Sequence, residues 1–514
     1  MSKLAISHTA PPASSAVRLK LRTLLGYACN QAFMFSLFYM GWNSALRVGG
    51  VTFERVDLLV TLLLCAGSLT VMRMLTRRVR DVLLSRNFLW CYAVLLAIGS
   101  SVSLPAEYGI VSFLLEGLLV GMPFACMLAA WGRALAARPH GETARGVLLA
   151  TAVAAVFAFL LLLVCSVHPW ALAVANLLPF ASAWALAGAA PFSGDAAASQ
   201  GSDAAAKDAQ SQTGAGFSFG QLLATKQQRA ETARISRKVI AGAALFGLSG
   251  GLMETYASDP GMIATPTFAA TLLLLALFCA GSLQVVGTPD SGGQSQSEVS
   301  SLLVGVYRIA LLVMLAGYLF MPVLEPFGVP GDSIVLAGYL GLTAVLVSLF
   351  ILTAKLTGMD GALSFSRGFA ALYFGEAFGL ALGNALEIVS PSGNIPFAVA
   401  SCAGLATLYA YVFLFTESDF IALSCIAKQA DRFEDACRAI IERYKLSKRE
   451  SEILPLALRG RTGERIASEL FIAKSTVDTH LRRIYGKCGV HSRQELIDLS
   501  ERQTKDFISG KESS

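Results

Sequence analysis

The sequence predicts an all-α protein: a polytopic helical membrane bundle of about twelve spans, six plus six, followed by a small C-terminal four-helix domain. Three observations carry this reading. Of 514 residues, 54% are hydrophobic and only 15% charged, against roughly 25% charged in soluble globular proteins. The apolar residues fall in runs of about 20, the length that crosses a bilayer as a helix. After Phe415 the chain turns abruptly charged, and its apolar residues recur at helical spacing. Together these exclude a soluble enzyme, a disordered chain and a fibrous protein. The ten Cys include no C-x-x-C pair and lie mostly in apolar runs, so they read as small packing residues, not as disulfides or metal ligands.

Residues 1–23 form a basic N-terminus with Lys3, Arg18, Lys20 and Arg22. The run that follows is a full span, unlike the short core of a cleaved signal. Six spans occupy residues 24–190: Leu24–Leu46, Val56–Leu75, Phe88–Leu104, Ile110–Ala130, Val147–Val167 and Trp170–Ala190. Residues 191–238 break the pattern. Ser193–Gly216 has the composition of disorder, and Gln221–Lys238 is expected as a short surface helix. Six more spans occupy residues 239–416: Val239–Tyr256, Phe268–Val286, Leu302–Phe320, Ile334–Leu352, Ala362–Leu386 and Ile395–Phe415. Pro123 and Pro179 are expected to kink the fourth and sixth spans.

Orientation follows from Arg and Lys, which favour cytoplasmic loops. Loops after even-numbered spans hold Arg73, Arg77, Arg78, Arg80, Arg86, Arg133, Arg138 and Arg145, and the central break holds Lys207, Lys226, Arg229, Arg234, Arg237 and Lys238. Loops after odd-numbered spans hold only Arg47 and Arg55. Both termini and the central loop are therefore expected in the cytoplasm of a multi-pass cell-membrane protein. Twelve spans split by a long middle loop resemble the major facilitator superfamily in architecture over Leu24–Phe415. The basic run LTRRVRD, Leu75 to Asp81, falls where that family carries a short basic motif.

Charges inside a bilayer are expensive and mark interior or functional positions. Glu116 in the fourth span and Glu376 in the eleventh are the candidates for ligand or proton sensing, with structural pairing as the equal alternative. Asn30, Gln31, Asn43, Asn176 and Asn384 are expected to bond between helices. Gly375, Gly379 and Gly383, spaced four apart beside Glu376, let a neighbouring helix approach closely.

Beyond the spans, Phe433, Cys437, Ile440, Ile441 and Tyr444 give residues 417–444 the stripe of an amphipathic connector helix. Residues 445–500 form the C-terminal domain, and 501–514 a polar tail. Ser447 and Glu450 spell a capping box; Ile453, Leu454 and Ala457 follow on the buried face, and Gly460 ends the helix. Thr462 caps a second helix with Ile466, Ala467 and Leu470 inside. Phe471–Ala473 is a short turn. A third helix runs from Lys474 to about Cys488 on Val477, Leu481, Ile484, Tyr485 and Cys488, and Gly489 ends it. Ser492 and Glu495 open a fourth. The outer face of the third helix carries Lys474, Ser475, Asp478, Thr479, Arg482 and Arg483, side chains that bond phosphates and base edges.

These residues resemble the LuxR-type helix-turn-helix family over about 55 positions. Leu446, Arg449, Glu450, Glu452, Gly460, Ile466, Ala467, Leu470, Thr476, Val477, His480, Ile484, Tyr485, Lys487, Gly489, Val490, Arg493 and Leu496 stand where that family's pattern puts them. The resemblance implies double-stranded DNA as partner and a homodimer when bound to it. It also implies a third helix in the major groove, adding Thr476, His480 and Lys487 to the DNA-binding set. Three departures stand out: Asp478 in place of a usual Lys, Ala473 in place of a Ser or Thr cap, and Pro455 inside the first helix.

Neither a phosphate-binding G-x-x-x-x-G-K-[ST] loop nor an H-E-x-x-H motif is present, so no enzyme activity, cofactor or metal is expected. The leading reading is a membrane-anchored one-component transcriptional regulator whose bundle senses an unidentified small-molecule effector or the state of the lipid bilayer. The alternative is a major-facilitator-like solute transporter with an appended DNA-binding regulatory domain.

Overall fold

The structure, a computed structural model, describes residues 13–39, 46–48, 51–101, 110–138, 140–168, 172–189, 226–256, 266–287, 297–324, 331–357, 359–389, 395–414, 418–419, 422, 433, 436–458, 460–470 and 472–500. The expectations for Ser193–Gly216, the first residues and the polar tail lie outside these. The described helices are α1 (Ala13–Tyr39), α2 (Val56–Met74), α3 (Arg77–Leu83), α4 (Arg86–Ser101), α5 (Ile110–Ala136), α6 (His140–Val167), α7 (Leu172–Ala175) and α8 (Leu178–Ala187) in the first half. The second half has α9 (Lys226–Tyr256), α10 (Pro266–Gly287), α11 (Ser297–Leu324), α12 (Gly331–Thr357), α13 (Gly361–Val389) and α14 (Ile395–Tyr409), which runs on as a π-helical turn, Ala410–Leu414. The C-terminal domain has α15 (436–443), α16 (Lys448–Leu458), α17 (Gly463–Leu470), α18 (Lys474–Cys488) and α19 (493–500).

Each of the twelve runs read as a span coincides largely with described helix. Seven helices among the described residues are long and apolar enough to cross a membrane, or eight if the pair α3 and α4, bent by 56°, counts as one span. Apolar side chains face outward along them, including Leu277, Leu312 and Phe378, as a lipid-bathed bundle requires. α12 is the most enclosed helix, with 94% of its span window buried.

The boundaries differ from the sequence reading in three places. First, α1 begins at Ala13 and ends at Tyr39, so the run read to Leu46 stops earlier. Its end is followed by an antiparallel ribbon, β1 (Leu46–Val48) against β2 (Val51–Phe53), with Val48 opposite Val51. Two glycines between β-branched residues are a hairpin signal. Second, the described part of the segment read as a surface helix, residues 226–238, is the start of α9 and continuous with the seventh span. Thr232, Ile235, Ser236 and Val239 are buried at the i, i+3, i+4, i+7 spacing of one helix face. Third, Pro179 does not kink a helix: the sixth span breaks at Asn176–Leu177, and Pro179 sits in the first turn of α8, where its missing N–H is harmless. Pro123 lies inside α5, which continues through it.

Polar side chains stitch the bundle. Asn176 accepts from Ser100 Oγ at 2.7 Å and donates to Ser101 Oγ at 2.6 Å. Asn384 accepts from the Glu54 amide at 2.7 Å and donates to the Glu54 carbonyl at 3.1 Å. The LTRRVRD run joins the halves: Arg133 grips Asp360 at 2.6 Å and Asp81 at 2.9 Å, and Arg80 lies 3.6 Å from Asp360. 

α9 and α13 make the closest helix pair. A Cβ on Gly247 would lie 2.0 Å from the Leu372 carbonyl oxygen, and one on Gly251 would lie 2.0 Å from that of Glu376. From the other side, a Cβ on Gly375 would meet the Ala244 oxygen at 2.0 Å and one on Gly379 the Leu248 oxygen at 2.3 Å. The expected glycine stripe thus packs backbone to backbone against a matching G-x-x-x-G on α9.

Candidate nucleic-acid interface

The C-terminal domain has its own core, separate from that of the bundle. Ile453, Leu454, Ile466, Leu470, Val477, Ile484 and Leu496 are fully or nearly fully buried in it. Cys437 and Ile440 join this core, with Phe433, Ile441 and Tyr444 packed at its edge. The stripe read as a connector therefore folds onto its own domain.

Local signals set the helix ends. The Ser447 amide donates to Glu450 Oε2 at 2.7 Å and the Glu450 amide to Ser447 Oγ at 3.4 Å, closing the capping box. At the second box the Glu495 amide reaches Ser492 Oγ at 3.2 Å, while the Glu495 carboxylate takes the His491 amide at 2.8 Å. The His491 amide, together with Ser492 Oγ donating to Oε1 at 3.1 Å, holds the Glu495 carboxyl below its ordinary value. Thr462 Oγ1 accepts from the Arg465 amide at 3.4 Å. Gly460 and Gly489 take φ of 73° and 66°, the left-handed C-terminal position that glycine fills without strain. Arg493 Nη2 donates to the Ala457 carbonyl at 2.7 Å and also to that of Arg461, placing a cation on the negative end of α16.

α17, the turn at Ile472 and Ala473, and α18 make the helix-turn-helix. The Ile472 amide donates to the Ala467 carbonyl at 3.0 Å, fixing the turn. α18 buries Val477, Ile484 and Cys488. Spacing then turns Lys474, Ser475, Thr476, Asp478, Thr479, Arg482 and Arg483 outward, and all seven are exposed. His480 is half-buried at the edge of this face. Its Nδ1 is enclosed and has no hydrogen-bond partner among the described residues.

Two of the expected DNA-binding residues are engaged within the domain. Lys474 Nζ pairs with Glu464 Oε1 of α17 at 2.8 Å. The hydrogen bond and the charge of each partner raise the ammonium above and hold the carboxyl below their ordinary values. The pair is exposed, so solvent screens it and phosphate competes for Lys474. Lys487 lies deeper: its Nζ is 2.6 Å from the buried Glu450 carboxylate and 3.3 Å from the Lys445 carbonyl. Lys487 thus closes the domain between α16 and α18. Ala473 caps α18 without a side-chain bond, as its methyl dictates.

Residues 444–500 match the family described as bacterial regulatory proteins, luxR family. The C-terminal domain is a LuxR-family DNA-binding domain. Its relatives include the HTH-type transcriptional regulator MalT of Yersinia pestis (strain Pestoides F), 38% identical over 63 residues, 12% of this chain and 7% of that protein. The MalT of Serratia proteamaculans (strain 568) is 36% identical over 66 residues, 13% and 7% of the two chains. The match thus spans less than a tenth of the length of these relatives. 

Solved structures similar to the membrane part include a Major Facilitator Superfamily transporter, FucP, in the outward conformation: 13% identity, 82% of this chain, 99% of that one, TM-score 0.42. The xylose transporter XylE from E. coli is another, at 14% identity, 78% of this chain, 98% of that one and TM-score 0.45.

In the bundle, the two expected carboxylates lie in different settings. Glu116 is half-buried on α5 with Asp57 as an acidic neighbour. Glu376 is buried on α13, where Tyr339 Oη donates to its Oε2 at 3.1 Å and Glu254 of α9 is an acidic neighbour. Glu254 is itself buried, and the sequence reading passed over it. Its signal was a lone carboxylate near the end of a span, one turn after Gly251.

Proposed function

We propose that this protein is a membrane-anchored one-component transcriptional regulator. The observation that carries the reading is the join: a LuxR-family DNA-binding domain follows the last apolar helix of a multi-pass bundle within the same chain. The third helix, α18, enters the major groove and contacts DNA through Lys474, Ser475, Thr476, Asp478, Thr479, Arg482 and Arg483. His480 and Lys487 support it from the edge, and two copies act on DNA as a dimer. Both termini and residues 191–238 face the cytoplasm, which the Arg and Lys distribution supports.

The bundle supplies the input. A signal shifts DNA binding only by stabilising one state of the bundle over another. Glu376, beside the buried Glu254 at the tightest helix pair, and Glu116 are the groups through which that difference is sensed. Two neighbouring buried carboxyls repel when both are charged, so protonation or a cationic effector is the chemistry this pair responds to.

Genome-wide mapping of DNA bound by the full-length protein tests the reading. Discrete promoter sites are expected, and Arg482→Ala should lose them, at a cost of about 1–3 kcal/mol if it reads a base. Absence of discrete sites sinks the proposal. Solute flux into vesicles, unaffected by Arg482→Ala, would turn it toward a transporter with an appended regulatory domain.

A further inference from the structure

On the outer side of the second half, α10, α11 and α12 leave a groove of about 410 Å³, within the range of small-ligand sites. Its wall is built from one face of each helix: Leu274, Phe278 and Ser282 of α10, Ile309 and Val313 of α11, and Ala337 of α12. The groove opens sideways. Leu277 on its rim is 61% exposed and Leu312, next to Val313, is 64% exposed. In a bundle of apolar helices that exposure faces lipid acyl chains, not water.

Two features distinguish the groove from ordinary lipid-facing surface. The first is Ser282. Its hydroxyl is buried in the groove wall and has no hydrogen-bond partner among the described residues. Elsewhere in the bundle several hydroxyls bond the carbonyl four residues back, as Ser36 does to Ala32, Ser100 to Leu96 and Thr271 to Thr267, while Ser366 Oγ shares with Ser282 the lack of a partner among the described residues. A buried donor without a partner calls for an acceptor from outside the chain. The second is Gly281. A Cβ there would meet nothing within 4 Å, whereas a Cβ on Gly341 of the facing α12 would strike the Phe278 ring at 2.5 Å. The protein packs tightly on one side of Phe278 and leaves room on the other.

We propose that this groove holds one acyl chain of a bilayer glycerolipid, with the lipid's ester carbonyl accepting a hydrogen bond from Ser282 Oγ. Depth supports the assignment. Ser282 lies five residues before the end of α10 at Gly287, roughly 7 Å along a helix, which is near the edge of the hydrocarbon layer. Ester carbonyls sit at that edge, and the chain below them runs toward Leu274 and Ile309. Occupancy of the groove does not depend on the regulator reading. If that reading also holds, the groove is where lipid identity enters the sensing bundle.

The test uses the full-length protein in nanodiscs of phosphatidylethanolamine and phosphatidylglycerol, doped with phosphatidylglycerol carrying a photoreactive diazirine on one acyl chain. Crosslinks mapped by mass spectrometry should concentrate on Leu274, Phe278 and Val313, at least tenfold above exposed Leu319 and Phe378. Gly281→Leu, which fills open space, should remove the excess while leaving Leu319 and Phe378 labelled as before. Ser282→Ala should reduce the phospholipid retained per protein after detergent exchange, read by native mass spectrometry. Labelling of the groove no higher than of Leu319, or labelling indifferent to Gly281→Leu, overturns the proposal. Retention of phospholipid equal in parent and Ser282→Ala overturns the carbonyl contact. A last arm separates the two readings: if Gly281→Leu empties the groove but promoter occupancy in cells is unchanged, the lipid site stands and its sensing role fails.

Discussion

Lys445 holds a backbone conformation that only glycine adopts freely. Its φ is 49°, and it ends α15 with the Leu446 amide bonded back to the Ile441 carbonyl at 3.0 Å. A left-handed non-glycine residue costs roughly 1–2 kcal/mol, and glycine returns part of that gain through the entropy of the unfolded chain. Lys445→Gly should therefore stabilise a fragment spanning 433–500 by about 0.5–1 kcal/mol, read from the denaturant midpoint; a lower midpoint would contradict it. 

Glu450 makes a sharper case. Burial pushes its carboxyl up, but the Lys487 hydrogen bond, the Ser447 amide and hydroxyl and the Lys487 charge outweigh it, so the carboxyl sits below its ordinary value of 4.5. A carboxyl lowered on folding contributes its full stability above the unfolded value and loses it as pH falls through the lower native one. The domain should thus weaken below about pH 4.5. Glu450→Gln should cost about 2 kcal/mol at neutral pH and flatten that acid dependence in thermal melts. The capping box gave Glu450 away in the sequence. Its second role, holding Lys487, did not show, because the partner lies 37 positions downstream.

Helices were legible where one face stays apolar, as in α16, α17 and α18, whose periodicity and caps the structure reproduces. They were misjudged where burial is carried by small or polar residues. The start of α9 reads as polar because Thr232 and Ser236 do part of the burying. The ribbon β1–β2 was hidden by its three-residue strands. The glycine stripe on α13 was visible, but not its partner on α9, since spacing on one helix does not name the helix it meets. That pairing yields a prediction. Gly247→Ala places a methyl 2.0 Å from a backbone oxygen that no side-chain rotation can move. It should destabilise the bundle by about 1–3 kcal/mol, the usual range for overpacking, seen as a lower melting temperature in detergent. Gly305→Ala, which meets nothing within 4 Å, is the control; equal effects would mean that the contact is not tight. On α18 the same reasoning concerns charge. Asp478 stands exposed among Lys474, Thr479 and Arg482. Asp478→Lys should tighten binding to unrelated DNA and steepen its salt dependence by about two phosphates, measured by titration across salt; an unchanged slope would turn this face away from DNA.

The whole molecule is two cores on one chain with little slack between them. The last span does not release the chain at once: Asp419 is buried and pairs with Lys238 of α9 at 2.8 Å, and Ala422 packs against the bundle core. Phe433 already packs against the DNA-binding core. Ten residues, 423–432, lie between these anchors, a reach of at most about 35–40 Å. DNA bound by this domain is therefore held close to the membrane. Because α15 spends its apolar stripe on its own domain, the bundle input proposed above has to pass through this connection or through direct contact. A shift of α9 against α13 moves Lys238, and with it Asp419 and the start of the connection. Inserting roughly twenty Gly and Ser residues within 423–432 lets the ends wander about 25 Å, enough to dissipate such a shift. The expected outcome is a protein that still occupies its promoters, since the domain is untouched, but no longer changes target expression when the bundle is perturbed by Glu376→Gln. Asp419→Lys, which sets two cations against each other, should act in the same direction without lengthening the chain. Reporter expression in cells, at matched membrane abundance, compares six proteins: the parent, the insertion variant and Asp419→Lys, each with and without Glu376→Gln. If the insertion variant responds to Glu376→Gln as strongly as the parent chain does, mechanical coupling through residues 419–433 is wrong, and the signal must travel by some other contact.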